Sequence, residues 1–242
     1  MINKLKLSDR LVQVASFLPK GAFFADIGSD HAYLPCYVCL QDATARAIAG
    51  EINEGPYNSA KTTIENYNLD EQVEVRLGDG LEILNKDETD QIVIAGMGGA
   101  LIRSILEDGK SKLSSTKRII AQPNVDARNV RKWFLDNGFR LTDETILKEN
   151  GHIYEILVAD RKIDNSPYSD SSREKQLLFG PLLLKYRSAV FMEKWQLEYE
   201  KLTRVVAQMR NANVPDTSKI KQFERELAWI EEVINDEAGD SE

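Results

Sequence analysis

Cysteine and histidine are scarce in this chain, with two of each among 242 residues. That excludes a disulfide framework, and a zinc site of the usual four ligands would need a second cysteine pair. The thiols stand at Cys36 and Cys39. Their C-x-x-C spacing fits a redox pair, but such a pair sits at the first turn of its helix, where the thiolate is stabilised. Two small buried residues one turn apart are expected instead. No apolar run approaches the ~20 residues that span a bilayer, and residues 1–10 hold no signal-peptide core. A cytoplasmic protein without membrane contact is expected. Positive charge is also in deficit: 31 Lys and Arg face 39 Asp and Glu, a net charge of −8. A general nucleic-acid binder is therefore disfavoured.

One further absence is more pointed. Residues 22–31 read Ala-Phe-Phe-Ala-Asp-Ile-Gly-Ser-Asp-His, a buried strand breaking at Gly28 into a turn that opens a helix. A nucleotide-like ligand binds at such a junction, on the free N–H groups of the helix start. A dinucleotide fold would place Gly-x-Gly-x-x-Gly here. The second and third glycine places hold Asp30 and Tyr33 instead. A carboxylate at Asp30 repels a pyrophosphate and attracts a cation such as the sulfonium of S-adenosylmethionine.

The rest of the chain extends this pattern. A short helix over 8–18 precedes strands at 22–27, 44–51, 73–77, 91–95 and 118–121. Helices at 32–40, 55–67, 99–107 and 126–136, and a short one after Asp79, follow the strands in turn. Residues 139–148 and 152–159 then pair across Glu149-Asn150-Gly151. Five βα units imply a parallel sheet covered on both faces. A closing hairpin that adds one antiparallel strand is the arrangement of class I methyltransferases. Residues 1–160 are expected to form that domain, with polar residues 160–172 as a linker. Within 161–242, Phe191, Trp195, Leu202, Val205 and Met209, then Ile220, Phe223, Leu227, Ile230 and Ile234, recur at heptad spacing. They predict an antiparallel coiled-coil hairpin, capped at Asp216 or Thr217.

Ligands of an open parallel sheet sit at the carboxyl ends of its strands. Those ends carry Asp26-Ile27-Gly28-Ser29, Glu51-Ile52-Asn53, Gly78-Asp79-Gly80, Gly96-Met97-Gly98-Gly99 and Gln122-Pro123-Asn124. Glu51 lies at the separation from Gly28 expected of a carboxylate that accepts ribose hydroxyls. Asp79 fits near an adenine amino group, and Asp26 near a methionine amino group or as an orienter of the turn. His31, beside Asp30, serves as a ligand contact or a cap. Three glycines in 96–99 let the chain pass close to a flat ligand, and the amides of Gln122 and Asn124 can pair with a base edge. An Asn/Asp-Pro-Pro-aromatic motif, which holds an exocyclic amine in nitrogen methyltransferases, is absent. Arg128, Arg131 and Lys132 follow on a helix at the same rim and could take phosphates.

Charge is uneven in the C-terminal part. Residues 161–223 hold twelve Lys and Arg against seven Asp and Glu, whereas 224–242 hold eight acids and Arg225 alone. A basic stretch before an acidic tail is compatible with an RNA contact or with two solvated helix faces.

Arg10-Leu11, Val14 to Pro19, Asp-Ile-Gly-Ser-Asp-His-Ala-Tyr-Leu-Pro at 26–35, Gly78-Asp79-Gly80, Gly96 to Gly99, Gln122-Pro123-Asn124 and Asn150 to Glu155 closely resemble the bacterial TrmK family. The resemblance spans the whole chain. It implies S-adenosylmethionine-dependent methylation of adenine N1 at position 22 of tRNA. Separately, a monomer or weak homodimer with no obligate protein partner is expected. Asp26, Gly28, Ser29, His31, Glu51, Ile52, Asn53, Gly78, Asp79, Gly80, Gly96 and Met97 are the expected cofactor contacts. Asp30, Gly98, Gly99, Gln122 and Asn124 are expected beside the reacting base. Arg128, Arg131, Lys132, Lys185, Arg187, Lys194, Lys201 and Arg204 are expected on the RNA, joined by Lys175 and Arg210. A small-molecule methyltransferase, or a non-catalytic RNA-binding protein on this scaffold, is the alternative.

Overall fold

Phe24, Ala25, Ile92, Val93, Ile94, Ile119 and Ile120 are almost wholly buried. Strands apolar on both faces need helices on both sides, and the fold supplies them. The structure is a computed structural model, and it describes residues 5–161 and 167–236. They fall into two compact units, Met1–Pro167 and Tyr168–Glu242. No described helix is long and apolar enough to cross a membrane.

The first unit is built on β1 (Phe23–Ile27), β2 (Arg46–Glu51), β3 (Val73–Leu77), β4 (Gln91–Gly98), β5 (Arg118–Val125), β6 (Phe139–Glu149) and β7 (His152–Arg161). They form one sheet in the order β3-β2-β1-β4-β5-β7-β6. β1 to β5 pair in parallel, and β7 runs antiparallel between β5 and β6. The order reverses between β1 and β4, so a crevice opens at their carboxyl ends. Helices α1 (Asp9–Ser16), α2 (Tyr33–Gln41), α3 (Glu54–Asn66), α4 (Gly99–Asp108) and α5 (Ala127–Asp136) complete the unit. Asn150 and Gly151, at φ 50° and 81°, make the tight turn between β6 and β7.

Two strands run longer than the sequence predicts. β4 continues through Gly98 and β5 through Val125, paired by a ladder with irregular register around Gly96. The glycine-rich segment is thus mostly bulged strand, a common way to re-aim a strand beside a site. β7 extends to Arg161, into the expected linker, and the guanidinium of Arg161 donates to the Leu113 and Thr116 carbonyls. Linker residues 162–166 and the acidic residues 237–242 lie outside the described residues.

Cys36 and Cys39 point into the core, and burial pushes both thiols up to about 12. They remain unionised thiols, as a structural role requires.

The second unit holds α6 (Arg173–Phe179), α7 (Pro181–Tyr186), α8 (Ala189–Arg210) and α9 (Thr217–Asn235). Ser188 caps α8 and Asp216 caps α9. Arg210, ending α8, pairs with Glu224, while Lys175 and Arg187, ahead of α8, pair with Glu232 and Asp236. The two long helices are therefore antiparallel. Their burial departs from the heptad pattern: Val206 and Val233 are buried, while Leu202, Val205, Met209, Phe223, Leu227 and Ile234 are half-buried. Phe179 at the end of α6 lies 4.3 Å, centroid to centroid, from Trp195 and joins it and Phe191 in an aromatic cluster. That third helix draws the buried face of α8 towards itself.

Candidate active site

Gly28 turns the chain at φ 69°. Its N–H and that of Ser29 donate to the Gly50 carbonyl at 2.9 and 3.1 Å. The left-handed turn favours glycine, and a Cβ on Gly28 would stand 2.2 Å from Met97 Cε, the movable end of a flexible side chain. Asp30, His31 and Ala32 follow in the left-handed region, at φ 45°, 70° and 57°. Three such non-glycine residues in a row store strain, which collects at functional sites. His31 Nε2 lies 3.4 Å from Asp30 Oδ1, and the imidazole stacks on Tyr33 at 5.4 Å. The Asp30 side chain is open to solvent.

Two buried acids stand behind this turn. Asp26 is 4% exposed and accepts from Ser29 Oγ at 2.7 Å. Burial pushes its carboxyl up to about 7; the Ser29 bond opposes that and the charge of Glu51 adds to it. Glu51 is 5% exposed and accepts the Asp30 backbone N–H. Burial raises its carboxyl as well. Its Oε1 is buried with no hydrogen-bond partner among the described residues. Such an oxygen is costly unless a ligand satisfies it.

The flanking residues lie as follows. Ile52 is 59% exposed, and Asn53 precedes α3 without a side-chain cap bond. The Gly78 N–H donates to the Glu51 carbonyl at 2.8 Å. Asp79 is exposed, and Gly80, at φ 51°, begins the 3₁₀ turn Gly80–Ile83. Together with the Gly28 turn these residues gather at the carboxyl ends of β1, β2 and β3.

On the β4–β5 side the Gln122 side chain is wholly buried. Its Oε1 accepts from Gly96 N–H at 3.0 Å and from Arg10 Nη1. Its Nε2 donates to Asn124 Oδ1 at 3.2 Å, and Asn124 Nδ2 donates to the Gly96 carbonyl at 2.7 Å. Asn124 itself is exposed. Arg10 lies outside the expected site residues because 112 positions separate it from Gln122. Its only mark in the sequence is its place in the family-like string. Tyr154 was missed in the same way; the Arg10 guanidinium lies 5.2 Å from its ring centre.

Other expectations need correction. Gly99 is buried, and a Cβ there would stand 2.0 Å from the Asp126 carbonyl oxygen. Its missing side chain leaves room for the Asp126 carbonyl where α4 packs against the start of α5. Gly98 forms the N-terminal boundary of α4. Arg131 cannot reach a phosphate. It is wholly buried, donating to Glu144 at 2.6 Å and to Glu155, so it clamps α5 to β6 and β7. Its helical spacing looks solvent-facing until the hairpin closes over it. Lys132 is exposed and pairs with Asp136 of its own helix, while Arg128 is half-buried.

In the second unit Lys185 and Arg204 are exposed, and Arg204 Nε donates to the Glu200 carbonyl. Lys194 Nζ lies 5.0 Å from the Trp195 ring. Lys201 pairs with Glu198, and Arg187, Lys175 and Arg210 pair with acids of α9 or just beyond it.

No cluster of metal-ligating side chains occurs among the described residues. The sheet order, the single antiparallel strand and the glycine turn backed by acids define a class I methyltransferase. Within that class the chain belongs to the TrmK family, tRNA (adenine(22)-N(1))-methyltransferase, whose sequence model matches residues 24–232. It is 46% identical over 235 residues to the tRNA (adenine(22)-N(1))-methyltransferase of Bacillus subtilis (strain 168), covering 97% of this chain and 98% of that protein. The crystal structure of B. subtilis TrmK superposes with a TM-score of 0.90 at 45% identity, over 96% of this chain and 100% of the other. The Streptococcus pneumoniae protein Sp1610, crystallised in complex with S-adenosyl-L-methionine, gives 0.82 at 40% identity, over 95% and 100%.

Proposed function

We propose that this chain methylates N1 of adenine 22 in tRNA, with S-adenosylmethionine bound over the Gly28 turn and the target base beside Asn124. The observation that carries the assignment is the buried Oε1 of Glu51, without a hydrogen-bond partner among the described residues, at strand ends where Asp26, Asp30 and His31 also stand. A ligand with ribose hydroxyls and positive charge fits that donor set; a pyrophosphate does not.

Glu51 accepts the ribose hydroxyls. Asp26, ionised when a cation arrives, holds the ammonium of the methionine part. Ile52, Met97 and the 78–80 turn flank the adenosine. S-adenosylmethionine supplies a methyl group on a sulfonium, and its transfer leaves a neutral thioether and a positively charged adenine. Asp30, exposed at the mouth, stabilises that developing charge. A neutral ring nitrogen attacks with its own lone pair, so no general base is required. The chain's main task is alignment, which in favourable cases removes ~7–11 kcal/mol of a barrier. Adenine N1 is occupied when paired, so the base must leave its helix, at a cost of a few kcal/mol. Asn124 meets the exposed base edge, and basic side chains of the second unit hold the RNA backbone. Neither a small-molecule substrate nor a non-catalytic role has an observation of its own in the described residues.

The test is nucleoside mass spectrometry of unmodified tRNA incubated with the protein and S-adenosylmethionine, with fragment mapping. One 1-methyladenosine at position 22 is expected. A methyl group on another atom, or none, overturns the assignment. NADH should not bind in calorimetry under conditions where S-adenosylmethionine does.

A further inference from the structure

The amide of Asn124 can lie in two ways, and only one suits the reaction. Asn124 Oδ1 already accepts one hydrogen bond and Nδ2 already donates one. One lone pair and one hydrogen remain at its exposed edge. An acceptor there can take a hydrogen from the N6 amino group of adenine, which leaves N1 free and enriches its electron density. A donor in the same place has nothing to meet on N6. It would instead bond to N1 and occupy the lone pair that must attack.

Arg10 settles at which position of that edge the remaining lone pair lies and at which the remaining hydrogen lies. Its guanidinium and the Gly96 N–H both donate to Gln122 Oε1, so this oxygen cannot exchange places with Nε2. Nε2 must then face Asn124, where only Oδ1 can receive it. The Gly96 carbonyl closes the ring by accepting from Nδ2. Arg10 is itself anchored: its backbone N–H donates to Glu149 Oε1 at 3.3 Å, and its guanidinium lies over Tyr154. We propose that Arg10 is a positioning residue that sets the polarity of the Asn124 amide through Gln122, so that an acceptor meets the N6 amino group of the target adenine. The proposal rests on the reading of Asn124 given above.

Full-length protein tests it with four variants. Wild-type activity on tRNA is measured first; its absence would overturn the functional reading, independently of Arg10. Arg10→Met should lower kcat by at least about tenfold, while affinity for S-adenosylmethionine changes less than about twofold. Gln122→Glu keeps an oxygen for both Arg10 and Gly96 but has no N–H for Asn124. It should retain the melting temperature and still lose kcat as Arg10→Met does. Asn124→Ala should lose kcat too, and the double variant with Arg10→Met should lose no more than about twofold beyond it. If Arg10 served packing alone, Gln122→Glu would keep its rate and the double variant would lose the product of both effects. Either result overturns the proposal, as does Arg10→Met at full rate. Should Arg10→Met fail to fold, Gln122→Glu and its double variant with Asn124→Ala carry the same test.

Discussion

Asp26 is held in a state that favours folding over binding. Its carboxyl, raised to about 7 by burial, is protonated in the folded chain where it would be ionised in the unfolded one. A raised carboxyl contributes stability that is present below the unfolded value, 3.8, and lost as pH rises through about 7. A cationic ligand needs the ionised form, so its binding should tighten over the upper part of that window. Calorimetric titrations with S-adenosylmethionine on either side of neutrality should show tighter binding on the alkaline side, and Asp26→Asn should abolish the difference. Binding that ignores pH would remove Asp26 from the ammonium site. Glu51 makes the complementary case. Glu51→Ala removes one oxygen with no partner among the described residues and one hydrogen bond to the Asp30 backbone N–H, while the main-chain bonds of the turn to Gly50 remain, so the fold should survive. Cofactor binding should weaken by roughly 1.5–3 kcal/mol, the range for hydrogen bonds to a charged group. An unchanged dissociation constant would make Glu51 an ordinary strand-end acid.

At the scale of elements, the β4–α4 junction and the α5 clamp have structural duties that their sequences disguise. Gly99 reads as part of a ligand-hugging loop, yet its missing side chain makes room for the Asp126 carbonyl. Gly99→Ala pits a methyl against main chain, which cannot rotate away, so about 1–3 kcal/mol of stability should be lost. Chemical denaturation measures it, and a wild-type midpoint would contradict the packing. Arg131→Met should cost more, about 3–5 kcal/mol, because Glu144 and Glu155 would be left buried without their cation. A stable Arg131→Met with weakened tRNA binding would restore the phosphate contact that the burial of Arg131 denies. Most strands and helices are legible in the sequence, because the 2.0 and 3.6 periods of apolar residues report on local backbone directly. The extra lengths of β4 and β5 are not, since glycine and polar residues at a bulged strand end look like loop.

For the whole molecule, the boundary and the charge pairing set what the second unit can do. Arg161 ties β7 to the loop before β5, so a cut after Ala159 would remove part of the sheet domain's own closure. A chain ending at Pro167 should keep S-adenosylmethionine binding and lose tRNA methylation, once circular dichroism shows it folded. Full methylation by that fragment would remove the second unit from the mechanism. In the intact chain the basic residues should differ in weight. Lys185 and Arg204 have no acid partner in the described hydrogen bonds and ion pairs, so each charge removed should lower the salt slope of tRNA binding by about one. Lys175, Arg187 and Arg210 already face Glu232, Asp236 and Glu224, and their removal should lower it by less. Equal effects at all five positions would show that these ion pairs open on the RNA.

The sequence by itself determined the alternation of elements, the glycine turn at 28, the acids at 26, 30 and 51, and the family. Each is written in consecutive residues or in a short period, and local backbone physics turns it directly into structure. Tertiary structure alone decided which charges are paired and which partners the Gln122 and Asn124 amides take. Arg131 became a clamp, Gly99 a packing contact and Arg10 a partner of Gln122 only when segments about 13 to 139 residues apart met. Burial and hydrogen-bond polarity belong to such meetings, and no window of the sequence contains both partners.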